Sequence, residues 1–356
     1  MPGSDQSQIS PSASTAPASP DRPSPAAHGE PPSAAGQSSR RAIPSGSRRP
    51  GTRSTSQRRW SERSQAETAP AIGSSSSGEK GRSTKHATVA SRVSPVESVV
   101  GIDAGGSRIR AVAVRGSTVV HRGSGGPGNP HTVSARELEA HYSTALAGCP
   151  PSRSVVVCAA GAGSPAGRDR LRRALEPTLG DARLVVLPDY AAAWSAAPAG
   201  TEIVAIAGTG SVIASRGPDA RYVVTGGAGV AGGDPGSAVR LGHAAFARAG
   251  LDPSGRPAAD VARQATQLTA AAEAGEGWAV EELRSEMTAL AADVRLHARR
   301  IGRGRPRRRV AATGGVFSSQ DAVAAFAGAL GPSFDVVRMP AEPVMGALRI
   351  ARELAA

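Results

Sequence analysis

Lysine is nearly missing from this chain: of its 42 basic residues, only Lys80 and Lys85 are lysine and the rest are arginine. Aromatic side chains make up only 3% of the 356 residues, while Ala, Gly, Arg and Pro are common throughout. A bias this uniform reads as a GC-rich coding background, so the net charge of +13 does not by itself make a nucleic-acid binder. Cysteine occurs twice, at Cys149 and Cys158, with no CxxC pair. That excludes a disulfide scaffold and a structural zinc site, and fits a reducing cytoplasm. No apolar run reaches the ~18 residues of a membrane-spanning helix. The opening MPGSDQSQIS lacks the basic-then-apolar layout of a secretory signal. The seven histidines show no HxH or HExxH spacing for a metal.

What is present divides near residue 96. Before Val89 the only large aliphatic or aromatic side chains are Met1, Ile9, Ile43, Trp60 and Ile72. Such a Ser/Pro/Arg-rich segment cannot bury enough apolar area to offset the entropy of ordering, so residues 1–96 read as a disordered tail. The tail carries a net charge of +7 and the remainder +6. An electrostatic tether is one reading of it; an extension from a start codon placed too far upstream is the other.

From Ser98 apolar strands alternate with amphipathic helices, the pattern of an α/β fold. The pattern predicts strands that include Ser98 to Asp103, Arg108 to Val114, Ser154 to Ala159, Arg183 to Leu187, Glu202 to Ala207, Ser211 to Arg216 and Arg309 to Thr313. Predicted helices include Tyr190 to Ala197, Gly236 to Ala249, Ala258 to Ala274, Trp278 to Ile301 and Pro343 to Leu354. A weak internal repeat stands out. GIDAGGSRIRAVAV at 101–114 and AIAGTGSVIASRG at 205–217 are both strand, glycine-rich turn, strand. Two halves that each open this way predict a two-lobed protein, residues 97–200 and 201–356, with a cleft between the turns. The last helix is placed either with the second lobe or back on the first.

Those turns suit phosphate. Gly105 and Gly106 permit backbone torsions that aim successive N–H groups at one point, and Ser107 adds a hydroxyl. Gly208, Thr209, Gly210 and Ser211 offer the same from the other half. Asp103, ending a buried strand, needs a partner, and hydrated Mg²⁺ is a suitable one. A single glycine-rich hairpin is more often a plain turn; a pair, one per half, favours the phosphate reading.

GIDAGGSRIRAVAV, Asp189 in LPDYAAAW, AIAGTGS, GGAGVAGGDPGS and ATGGVFSS occur in that order. The succession resembles the actin-like ATPase and sugar kinase superfamily, and within it the BadF/BadG/BcrA/BcrD ATPase family with its N-acetylglucosamine kinases, over residues 98–356. The resemblance implies a two-lobed, ribonuclease H-like fold and ATP with Mg²⁺. It implies that Asp103 positions Mg²⁺ through water. It further implies that Gly105, Gly106, Ser107 and Arg108 form the first phosphate motif and Gly208, Thr209, Gly210 and Ser211 the second. Gly314 and Gly315 match the adenosine motif, and Gly346 a small residue near the nucleotide. Asn129, Gly227 and Asp234 match sugar-binding positions, and Asp189 the acceptor of the sugar hydroxyl's proton.

Simpler roles compete at three of these positions. Asp189 and Asp234 can each cap the helix that follows, and Asn129 can serve the turn before Pro130. The sequence also departs from the family's pattern. GDPGS stands where GDEGS is usual, Ala228 where Trp is usual, and the stretch 236–309 is short. The implied reaction is phosphorylation of an amino sugar such as N-acetylglucosamine by a cytoplasmic enzyme. A non-catalytic ATP-binding relative and an activator of a 2-hydroxyacyl-CoA dehydratase are the alternatives. A small-molecule sugar is the expected partner, with neither membrane nor specific nucleic acid, and a homodimer is left open. RIGRGRPRRRV at 300–310 resembles an AT-hook but sits where a solvated loop is expected.

Overall fold

The computed structural model describes residues 98–356 except 228, 230–232, 303 and 304. The tail expected over 1–96 and the Ala228 position therefore lie outside the described residues.

Two five-stranded sheets carry the fold. The first contains β1 (Ser98–Ala104), β2 (Ile109–Arg115), β3 (Thr118–Gly125), β4 (Ser152–Ala159) and β5 (Arg183–Pro188), in the order β3-β2-β1-β4-β5. The second contains β6 (Ile203–Ala207), β7 (Ser211–Arg216), β8 (Tyr222–Gly226), β9 (Arg308–Thr313) and β10 (Phe334–Arg338), in the order β10-β9-β6-β7-β8. Read from its far edge, the second order repeats the first strand for strand. In each sheet the first two strands are antiparallel and the first and fourth are parallel. The repeat visible in two short motifs thus extends through both sheets.

Central strands are buried on both faces, which is why β1 and β4 read as near-continuous apolar runs. On one face of the first sheet, Ile102, Ile109 and Val157 pack with Leu138 and Tyr142 of α1 (Ala135–Leu146) and Leu171 and Leu175 of α2 (Pro165–Leu179). The opposite face, with Val99, Val112, Val156 and Cys158, packs on α3 (Asp189–Ala196) and on α9 (Pro343–Ala355). The apolar positions of α9, Val344, Ala347, Leu348 and Ala351, fall on one helical stripe. The contact is close: a Cβ on Gly101 of β1 would stand 2.2 Å from the backbone nitrogen of Leu348. The other side of α3 meets the second sheet through Ala193, Ala196, Val204 and Ala311.

The second sheet's outer face is covered by α4 (Ala238–Arg248), α6 (Ala265–Glu273), α7 (Gly277–Arg300) and α8 (Gln320–Leu330). The single helix expected over 258–274 is two, α5 (Ala258–Arg263) and α6, separated at Gln264. α5 packs Val261 and Ala262 against Val239 and Phe246 of α4, while α6 turns Leu268 into the main core. Periodicity alone does not register two short helices that serve different clusters. His297 of α7 is fully buried and fixes that helix to the sheet. Its Nε2 is 3.0 Å from Ser215 Oγ and its Nδ1 is 2.9 Å from Thr225 Oγ1. Burial, with Arg300 and Arg308 nearby, holds the imidazole neutral, its pKa lowered to about 4.

Candidate active site

The β1–β2 turn closes with Gly105 N–H donating to the carbonyl of Arg108 at 2.9 Å. The β6–β7 turn closes with Gly208 N–H donating to the carbonyl of Gly210 at 2.9 Å. Both turns sit at the ends of the parallel strands in their sheets, and they touch each other. Ser107 Oγ and Thr209 Oγ1 are 2.8 Å apart across 102 residues of sequence. A Cβ on Gly106 would stand 2.9 Å from Thr209 Cβ, so glycine is what allows the approach. Two hydroxyls, one from each glycine turn, therefore meet at one place.

Asp103 stands directly behind the first turn. Tight closure of the hairpin sets Asp103 opposite Arg110, and Arg110 Nη1 lies 3.8 Å from Asp103 Oδ2. Arg110 also reaches Glu342 at 3.3 Å, just before α9. Burial pushes the Asp103 carboxyl up to about 7; the charge of Asp189 adds to this, Arg110 opposes it, and Glu342 adds again. Asp189 is the first residue of α3, immediately after β5, and accepts the Tyr190 N–H at 2.9 Å. Burial raises it to about 6 against the pull of backbone hydrogen bonds from Tyr190 and its own N–H. The strand order explains why Asp103 senses a charge 86 residues away: Asp103 pairs with Cys158, which pairs with Leu187, two residues before Asp189.

Asp189 is not the cap of α3. Pro188 occupies the cap position and makes no side-chain cap bond, so the carboxylate lies inside the first turn. Asp234 is not a cap either, because Ser237 caps α4 by accepting the Arg240 N–H at 3.3 Å. Asp234 is 4% exposed and has a φ of +27°. Burial raises its pKa, opposed by hydrogen bonds from the backbone of Ser211, then Gly229 and its own N–H. Gly227, with φ +71°, donates its N–H to the Ser211 carbonyl at 2.9 Å.

Asn129 does make a local turn: its Oδ1 accepts the His131 N–H at 2.9 Å. It also faces the loop after β4, where a Cβ on Gly161 would stand 2.5 Å from Asn129 Oδ1. His131 Nε2 lies 3.1 Å from the Gly161 carbonyl and 3.0 Å from Ser164 Oγ. Gly314, with φ +107°, follows β9, and a Cβ there would stand 2.3 Å from the Ala207 carbonyl. Gly315 has open space beside it and precedes a single 3₁₀ turn, Val316–Ser318.

Gly346 lies within α9 with its Cα against α3, where a Cβ would stand 1.9 Å from the Ala192 carbonyl. It is buried where the two helices cross, and the absence of a side chain allows that crossing. Arg110, Glu342, His131 and the Ser107–Thr209 contact were not singled out in the sequence. Only the alternation of Arg108 and Arg110 hints at the first, and the others depend on pairing between distant segments. Of the arginine-rich stretch expected as a loop, Arg300 ends α7 and Arg308 and Arg309 open β9; Arg308 lies 3.8 Å from Glu202, while Arg307 and Arg309 lie 3.7 and 3.0 Å from Asp335.

Among solved structures, this chain is similar to a candidate N-acetylglucosamine kinase from Porphyromonas gingivalis, with a TM-score of 0.57, 16% identity and coverage of 72% of this chain and 100% of that one. A candidate N-acetylglucosamine kinase from Chromobacterium violaceum gives a TM-score of 0.55 at 22% identity, covering 72% and 99%. A ROK family glucokinase from Streptomyces griseus, in complex with glucose and AMPPNP, gives 0.53 at 18% identity, covering 72% and 99%. The fold is that of the actin-like ATPase sugar kinases. No family model and no curated protein matches the sequence.

Proposed function

We propose that the chain is an ATP-dependent carbohydrate kinase that transfers the γ-phosphate to a hydroxyl of an amino sugar of the N-acetylglucosamine type. The observation that carries this reading is the meeting of two glycine turns, joined at Ser107 and Thr209, beside two half-buried carboxylates, Asp103 and Asp189. The order of the motifs supports a place near the BadF/BadG/BcrA/BcrD group. Such an enzyme works where ATP is available, which supports the cytoplasm.

The donor set suits Mg²⁺. No group of three or more His, Cys, Asp or Glu among the described residues forms a metal cage. Magnesium bound with ATP needs only one or two carboxylates, water and phosphate oxygens, which Asp103 and its surroundings can complete. When bound, the ion supplies positive charge against the phosphates. Gly105, Gly106, Ser107 and Arg108 would hold phosphate from one side, and Gly208, Thr209, Gly210 and Ser211 from the other. Gly314 and Gly315 would admit the nucleoside close to backbone. Asn129, Gly227 and Asp234 would face the sugar.

Asp189 would orient the attacking hydroxyl and take its proton. A carboxylate near pH 6 is ionised at neutral pH yet basic enough to accept a proton as transfer proceeds. The test is ADP release from ATP–Mg²⁺ on adding N-acetylglucosamine, glucosamine, N-acetylmannosamine or glucose. Asp189→Asn should lower kcat by roughly 10²–10⁴-fold with little change in ATP affinity. Nucleotide binding with no turnover on any sugar would sink the kinase reading in favour of a regulatory ATP-binding protein.

A further inference from the structure

We infer that Asp234 is a positioning residue that holds the second phosphate turn in shape, coupling the acceptor side of the cleft to the nucleotide side; this rests on the nucleotide site proposed above. Its carboxylate reaches back onto that turn. Oδ2 lies 2.5 Å from where a Cβ on Gly210 would stand, and the backbone N–H groups of Ser211 and Gly229 donate to the side chain. Gly210 is glycine because the carboxylate takes the space a side chain would need.

The other oxygen, Oδ1, is buried and has no hydrogen-bond partner among the described residues. An unpaired buried carboxylate oxygen is costly, as is a non-glycine residue at φ +27°. Such costs persist where the surrounding structure imposes them, and here it does. Ser237 N–H donates to the Asp234 carbonyl at 3.2 Å, and the next loop amide, Gly236 N–H, donates to Glu286 at 2.8 Å. Glu286 is buried and anchored in turn by Arg240 Nη2 at 2.7 Å. On the other side, Ala238 and Val239 N–H groups donate to the carbonyls of Gly208 and Thr209 at 2.8 and 3.3 Å. The loop from Gly233 to Ser237 is therefore fastened to α7 at one end and clasped on the turn at the other. Asp234 is the side chain that joins the two.

The consequence is a change in nucleotide binding from a residue that need not touch nucleotide. Calorimetric titration of the full chain with AMPPNP and Mg²⁺ and no sugar reads it directly. Asp234→Ala should weaken binding about tenfold, while Asp234→Asn, whose amide oxygen still accepts the Ser211 N–H, should recover most of it. Gly210→Ala attacks the same contact from the turn. It should weaken binding alone but add little in the Asp234→Ala background, where the space is vacated. Wild-type affinity in Asp234→Ala, or strictly additive losses in the double variant, would overturn the inference while leaving the nucleotide site standing. A wild-type chain that binds no AMPPNP would overturn both. If Asp234→Ala does not fold, wild-type affinity in Gly210→Ala would still refute the coupling.

Discussion

At the residue scale, the carboxylates of the site illustrate a function set against stability. Asp103 has an ordinary pKa of 3.8 and is pushed to about 7 by burial. Between those values the folded chain holds a proton that the unfolded chain releases. Folding is therefore favoured at the acid end of this window and loses stability as pH rises from about 4 to about 7. Asp103→Asn removes the titration. With a chelator present, the variant should melt above the wild type at pH 8, by about 3 °C or more, and the gap should shrink toward pH 4. The same variant should lose the Mg²⁺-dependent part of AMPPNP binding. A variant that is less stable at pH 8, or that keeps its Mg²⁺ dependence, contradicts this account. The carboxylate would then be a structural ion-pair partner of Arg110 alone.

At the scale of elements, glycine decides how closely α9 approaches its neighbours. In an open helical position Gly→Ala gains about 0.5–1 kcal/mol. Gly328 of α8 is such a position, exposed and with nothing within 4 Å of a new Cβ. Gly346 of α9 is the opposite case, since the Cβ would stand 1.9 Å from the Ala192 carbonyl and 2.8 Å from the Ala196 nitrogen. Those neighbours are backbone and cannot rotate away. Gly328→Ala should raise, and Gly346→Ala should lower, the urea midpoint, the latter by about 2 kcal/mol or more in stability. Equal shifts of one sign would show that α9 does not pack as described. The same helix marks what the sequence could and could not reveal. Its apolar stripe and its start at Pro343 are legible as a helix, and the glycine turns are legible as turns. That Gly346 meets α3, that Arg110 faces Asp103, and that Ser107 touches Thr209 depend on strand register and on contacts between distant segments. Local pattern does not encode those. The division between α5 and α6 was hidden for a related reason: each is amphipathic, but toward a different cluster.

At the scale of the whole molecule, α3 and α9 join the two halves of the fold. Three aromatic side chains of this aromatic-poor chain gather at that junction: Tyr190 and Trp194 of α3 meet Tyr222 of β8 at centroid distances of 5.1 and 6.5 Å. Cys158 lies beneath the same helices, fully buried, whereas Cys149 is half-buried after α1. Burial pushes both thiols up, and for Cys158 the charges of Asp103 and Asp189 add to the effect. A disulfide reagent should therefore modify Cys149 first. Cys158 should follow only as α3 or α9 leaves the sheet, at a rate set by that opening. If nucleotide is held between the two turns as proposed and binds only the closed form, AMPPNP–Mg²⁺ should slow the second phase by about tenfold at ten times its Kd. The first phase should not change, because Cys149 lies away from the turns. If Cys158 reacts as fast as Cys149, the helices do not shield it. If the slow phase ignores nucleotide that calorimetry shows to be bound, opening at α3 and α9 is not coupled to the turns. Slowing of the second phase alone would tie the buried junction to the ligand, and would do so without any knowledge of the sugar.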